Sequence, residues 1–129
     1  MNKQEIVQKL QEIGLPKEEY WVVAGGAMVL YGIREQTRDI DLGCSKTLAD
    51  RLEADGYPVE RLTDGSRRIA IGKDVELFEG WLYDRIEMWE GLPVISCKGL
   101  VMMKESLGRE KDLTDIEAIK KYMAEQKSD

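Results

Sequence analysis

Apolar positions fall into short groups of different spacing along the chain. Ile6, Val7, Leu10 and Ile13 recur at helical spacing, and Gly14 with Pro16 ends the run, which predicts an amphipathic first helix. Tyr20-Trp21-Val22-Val23-Ala24 is a continuous apolar run of strand length, broken by Gly25-Gly26. Ala27 to Tyr31 predicts a short helix that stops near Gly32. Asp39-Ile40-Asp41-Leu42 alternates with period two and reads as a second strand. Ser45 is placed to cap a helix with Leu48 and Leu52 on one face and Gly56 as its stop. Asp64-Gly65 is a hairpin signal between Val59–Leu62 and Arg67–Ile71, and Gly72-Lys73 turns the chain into Val75–Phe78. Trp81 to Trp89 fits a helix and a strand equally well. Val94-Ile95 reads as a brief strand, and Ser96 as the cap of a helix reaching Leu107. A last helix is expected to start between Asp112 and Thr114. Thr114 and Glu117 would form its capping box, with Leu113, Ile116, Ile119 and Met123 as its apolar stripe.

This order of helices and hairpin-linked strands predicts an α+β fold, a mixed or antiparallel sheet covered by helices. The 129 residues suit a single domain spanning 1–129, with 43% hydrophobic and 34% charged residues. No apolar run is long enough to cross a membrane, and the first residues lack the apolar stretch of a signal peptide. Cys44 and Cys97 lie too far apart in sequence to suggest a disulfide framework, which points to the cytoplasm. The net charge of −6 argues against non-specific coating of nucleic acid. Histidine is absent, which removes Ser/His/Asp and Cys/His triads and imidazole bases. Catalysis here has to run on carboxylates, Lys, Arg, hydroxyls, thiols or a bound metal.

Two signals carry chemistry. Residues two apart in a strand share a face, so Asp39 and Asp41 project side by side, about 7 Å apart. Two carboxylates in one site repel unless a cation joins them, and Mg²⁺ or Mn²⁺ suits carboxylate oxygens. A third acid on a neighbouring strand would complete the set. Glu76, flanked by Val75 and Leu77, is the first choice and Asp74 the second. The other signal is Gly25-Gly26, where a strand turns into a helix. Glycine permits close backbone approach, and the free N–H groups of a helix start suit phosphate. Each signal alone has an ordinary structural reading, a solvated strand face or a tight turn. Trp21, Tyr31, Trp81 and Trp89 read as core or interface residues rather than a stacking platform, and the six methionines as core filler.

Taken together, Ala24-Gly25-Gly26, the intervening Ala27 to Arg38, and Asp39-Ile40-Asp41-Leu42 resemble a minimal nucleotidyltransferase of the DNA polymerase β superfamily. The longer string through Tyr31-Gly32, Arg34 and Thr37 is similar to the aminoglycoside and lincosamide nucleotidyltransferases and to abortive-infection toxins. Lys104 and the segment from Gly108 to Asp112 with Asp115-Ile116 extend that likeness from Trp21 to Lys120.

The resemblance implies a nucleotidyltransferase-like sheet and transfer of a nucleoside monophosphate from an NTP to a hydroxyl acceptor, with release of pyrophosphate. It implies that Asp39, Asp41 and Glu76 hold Mg²⁺ or Mn²⁺ and that Glu76 helps deprotonate the acceptor. Gly25 and Gly26 would cradle phosphates, and Arg38 and Lys104 would neutralise them. Arg109 and Lys111 are expected to pair instead with Asp112 and Asp115. The third acid is Glu where many relatives carry Asp, and the chain is too short for an acceptor-binding helical domain. A homodimer or a partner protein would then complete the acceptor site. The alternative expectation is a non-catalytic nucleotide-binding or interaction module, such as half of a toxin–antitoxin pair.

Overall fold

The computed structural model describes residues 1–127. Helix α1 (Lys3–Ile13) is closed at its start by a reciprocal capping box between Asn2 and Glu5. It ends at Gly14, whose φ of 69° only glycine adopts cheaply. It buries Ile6 and Leu10. Strand β1 (Tyr20–Val23) feeds directly into helix α2 (Ala24–Tyr31), and β2 (Ile40–Cys44) follows a loop. Ser45 caps α3 (Lys46–Ala54) by accepting from the Leu48 amide at 3.1 Å. Strands β3 (Val59–Arg61), β4 (Arg67–Ile71) and β5 (Val75–Glu79) form the two expected hairpins. Strands β6 (Ile86–Trp89) and β7 (Leu92–Ile95) form another hairpin before α4 (Cys97–Leu107) and α5 (Glu110–Lys127).

The seven strands make one mixed sheet in the order β3-β4-β5-β2-β1-β7-β6. β2 lies antiparallel to β1 and parallel to β5. The α+β expectation therefore holds, with a central mixed sheet flanked by helices. Period-two patterning divides the sheet's faces. Ile40, Leu42 and Cys44 of β2 are buried, in register with Val75 and Leu77 of β5 and, across β4, Ile69. On the alternate positions Asp41 and Glu76 are only half-buried and Arg68 is exposed. The apolar face is the core side, and burial of such side chains is the main stabilising term. Gly43 lies on the more open face for a steric reason. A Cβ there would overlap the Trp21 indole, which is buried and donates from Nε1 to the Trp81 carbonyl at 2.7 Å.

Several expectations are corrected. α5 begins at Glu110, so Thr114 lies inside the helix and forms no capping box. Gly108, at φ 61°, ends α4 and turns the chain almost at once into α5. Arg109 then clamps Asp112 in the first turn, with Nε–Oδ2 at 2.7 Å and Nη2–Oδ1 at 3.1 Å. An acid in the first turn also suits the helix dipole. The buried stripe consequently runs through Asp112, Ile116 and Ile119, while Leu113 is 62% exposed. The segment from Trp81 resolves into a loop and then β6. Met28 and Met103 are core residues as expected, but Met88 and Met102 are exposed. No helix among the described residues is long and apolar enough to cross a membrane.

Candidate functional site

β2 begins at Ile40, so Asp39 is the last loop residue rather than a strand residue. It nevertheless lies beside Asp41 at the mouth of one cleft of about 590 Å³. Three parts of the chain wall this cleft: Ala24 and Gly25 at the start of α2, Arg34 to Asp41 leading into β2, and Lys104 with residues of the α4–α5 junction. Gly25, Arg38, Asp39, Asp41 and Lys104 thus meet in one place. Gly26 and Glu76 do not line it.

The two glycines act differently. Helix α2 includes both in its first turn, and its N-cap, Val23, offers no side-chain cap. The first amides of the helix therefore remain available to a ligand. A Cβ on Gly25 would stand 2.6 Å from Thr37 Oγ1 and 2.9 Å from Arg34 Nη1. Glycine is what lets those two side chains close over the helix start. Gly26 is buried, and a Cβ there would press on Val22 Cγ1 at 3.2 Å, so it serves the packing of α2 on β1. Ala24, just before them, has φ 55°, a left-handed backbone that strains a residue with a Cβ.

The cationic wall is organised around Asp115. Its carboxylate accepts from Arg34 Nη2 at 2.8 Å and from Lys104 Nζ at 3.1 Å. Lys104 is buried and also faces Asp112 at 3.6 Å. Burial pushes the Asp115 carboxyl up, but Lys104 and Arg34 outweigh it and hold the group below its usual range. The Asp112 carboxyl is likewise held down, chiefly by its hydrogen bonds from Arg109. Arg109 pairs with Asp112 as expected, whereas Asp115 takes Arg34 and Lys104 as partners. Among the described residues, Arg38 and Lys111 have no ion-pair partner and remain free to meet an anion.

The acidic wall has the opposite character. Neither the Asp39 nor the Asp41 carboxylate has a hydrogen-bond or ion-pair partner among the described residues. The Asp41 pKa is raised to about 6, first by burial and then by the charges of Glu76 and Asp39, with Arg68 and Lys104 offsetting in part. An excess of negative charge at this point is the setting in which a hard cation binds. Glu76 lies directly across the parallel pair from Asp41. Its carboxylate, however, is held by Arg68 in a two-pronged ion pair, Nε–Oε2 at 2.8 Å and Nη2–Oε1 at 3.1 Å. As the side chains stand, no group of three or more ligand-type residues is gathered to hold a metal among the described residues. Asp74, the second choice, accepts from the Ile40 amide through its main-chain carbonyl at 2.8 Å but lines another groove, with Met1 and Glu5.

Thr37 and Asp115 are the site residues that composition and spacing single out least, whereas Arg34 stands with Arg38 among the basic residues of the loop leading to the acids, where charge to offset a triphosphate is expected. Arg34 and Thr37 lie in a loop without periodicity, and Asp115 was expected only as a surface ion-pair partner. A second cleft, about 430 Å³, is walled by Tyr31, Trp89 and Tyr122 near the start of α4 and contains none of the expected site residues.

No family model and no curated protein matches the chain. Among solved structures, the fold is similar to a provisionally assigned nucleotidyltransferase from Thermotoga maritima. That protein is 18% identical, with 97% of this chain and 96% of that one covered and a TM-score of 0.59. A lincosamide antibiotic adenylyltransferase, LnuA, solved with lincomycin bound, is 17% identical over 90% of this chain and 92% of that one, with a TM-score of 0.44. At these identities the likeness is one of fold.

Proposed function

We propose that the chain is a metal-dependent nucleotidyltransferase that moves a nucleoside monophosphate from an NTP to a hydroxyl acceptor. The observation that carries this reading is the meeting of the α2 start, two unpartnered aspartates and the cations Arg38 and Lys104 in one cleft. A triphosphate needs donors and positive charge, whereas its metal needs hard anionic oxygens, and the two walls divide in that way. Asp39 and Asp41 fit Mg²⁺ or Mn²⁺ in the manner usual for a metal that arrives with substrate phosphates: one or two carboxylates, the remaining positions filled by phosphate oxygens and water. When bound, the ion would neutralise charge developing on the transferred phosphoryl group.

The chain's own residues would do the rest. The Gly25 amide and its helix start would hold the terminal phosphates. Arg38 and Lys104 would offset their charge, and Arg34, fixed by Asp115, would close the cleft over them. The acceptor hydroxyl oxygen would bond to the α-phosphorus as the bond to pyrophosphate breaks. The released proton would pass to a carboxylate beside Asp41, for which Glu76 is the neighbour by register. The acceptor is expected to come through a second copy of the chain or a partner protein.

A second reading, a nucleotide-binding or interaction module without transfer, is favoured by one observation: Glu76 is already occupied by Arg68. Calorimetric titration of a non-hydrolysable NTP analogue, with and without Mg²⁺ or Mn²⁺, tests the shared premise. Wild type should bind only with metal, and Asp39→Ala/Asp41→Ala should not bind. Label transfer from an α-labelled NTP to acceptor then separates the two readings. Metal-dependent binding with no transfer to RNA, protein or small hydroxyl compounds would favour the module.

A further inference from the structure

Arg68 sits on β4, two residues from the position that pairs with Glu76, and reaches across to grip it. Its guanidinium also meets Glu60 at 3.3 Å and lies 6.0 Å from the centre of the Phe78 ring. A fork donating two parallel bonds uses the directional lone pairs of both carboxylate oxygens. A metal ion would need those same lone pairs. Arg68 is therefore a cation already supplied to the acidic wall, paired directly with Glu76 and acting on Asp41 only through space. We infer that Arg68 is a positioning residue that acts as a built-in counter-ion. It occupies Glu76 in the free protein and is exchanged when a divalent cation enters with nucleotide, so that Arg68 and the metal are alternative partners of one carboxylate.

This inference rests on the reading of Asp39 and Asp41 as the metal-binding pair, and goes beyond it by assigning the third acid two states. Its physical basis is a balance of similar quantities. With the Glu76 and Arg68 side chains 32% and 44% exposed, the pair is partly screened by water. Pairs of that kind contribute modestly and can be exchanged. Glu60 and Phe78 give the guanidinium another place to rest once it leaves.

Mn²⁺ binding to the full chain, measured by calorimetry and by the loss of the free-ion magnetic resonance signal, tests the exchange without requiring turnover. Arg68→Gln removes the competing cation and should tighten Mn²⁺ by about fivefold, the size of a partly exposed ion pair. Arg68→Lys, which keeps the charge but not the fork, should fall between. The gain should vanish in Arg68→Gln/Glu76→Gln, because the ligand set free is Glu76 itself. Melting and circular dichroism of each variant check that the sheet is intact. Unchanged or weaker Mn²⁺ binding in Arg68→Gln, while wild type still binds Mn²⁺–NTP in an Asp41-dependent way, overturns the exchange and leaves the functional reading standing. Absence of Asp41-dependent metal binding in every variant overturns both.

Discussion

Replacing Asp41 by Asn should make the protein more stable and less able to bind. The carboxyl is pushed from 3.8 to about 6 by burial and by Glu76 and Asp39. At 1.36 kcal/mol per unit of pKa, that difference corresponds to about 3 kcal/mol against the ionised form. Asp41 lines an open cleft, and water reduces the figure to about 1–2 kcal/mol. The sign follows from linkage. A group whose pKa is higher in the folded chain than in the unfolded one favours folding below the unfolded value, and that contribution is lost as pH rises through about 6. Wild type should therefore lose stability relative to Asp41→Asn between pH 4 and pH 7. Above pH 7, where the charge is fully present, the variant should melt about 3–8 °C higher, and at pH 4 the two curves should meet. Adding Mg²⁺ and a non-hydrolysable NTP should reverse the order, because ligand at about 100 times its Kd adds roughly 2.7 kcal/mol to the form that binds it. Thermal melts in low-salt buffers from pH 4 to 8, with and without ligand, provide every comparison. A variant that melts at or below wild type at pH 8, or a difference that does not change with pH, would refute the reasoning.

Other expectations follow from the same geometry. Gly25→Ala should weaken Mg²⁺–NTP binding at least tenfold by calorimetry, because its Cβ displaces Thr37 and Arg34; the packing penalty should be about 1–3 kcal/mol. Gly43→Ala should leave the cleft chemistry alone yet cost about 2–3 kcal/mol in urea unfolding, since the Trp21 indole must leave its place over the strand. Lys104→Met should cost about 2–4 kcal/mol, as it strips Asp112 and Asp115 of a buried cation, and should also weaken nucleotide binding. In wild type, Mn²⁺–NTP affinity should fall as pH drops below about 6, where Asp41 takes up a proton.

What was legible in the sequence was whatever depends on local spacing. Ser45 and Ser96 announce the helices they cap, and Gly65 and Gly72 announce hairpins, because caps and turns are decided by a few adjacent residues. The period-two pairing of Asp41 with Ile40 and Leu42 is enough to place one acid opposite a buried face, and the similar pattern around Glu76 points to the residue that the register sets across from it. Periodicity has no means of stating whom a charged side chain will choose. Arg68, Glu60 and Glu76 lie on three successive strands of the sheet, and only the register of β3, β4 and β5 together brings a guanidinium onto the third acid. Arg34 and Asp115 are likewise 81 residues apart and meet through the packing of α5 against the loop after α2. Asp112 misled the reading of the last helix for the same reason. A carboxylate occupies a place on the buried stripe, where a pattern search expects an apolar residue, because Lys104 and Arg109 neutralise it there. The positions where the apolar pattern fails, Lys104 and Asp112, both line the cleft, beside an Asp41 that the pattern does place. Burying charge is costly unless another charge answers it, and of the four acids lining the cleft Asp112 and Asp115 are ion-paired while Asp39 and Asp41 have no such partner among the described residues. The cleft thus sets unpaired cations, Arg38 and Lys111, against unpaired carboxylates, Asp39 and Asp41, which is the division of charge that the proposed metal–triphosphate ligand would require.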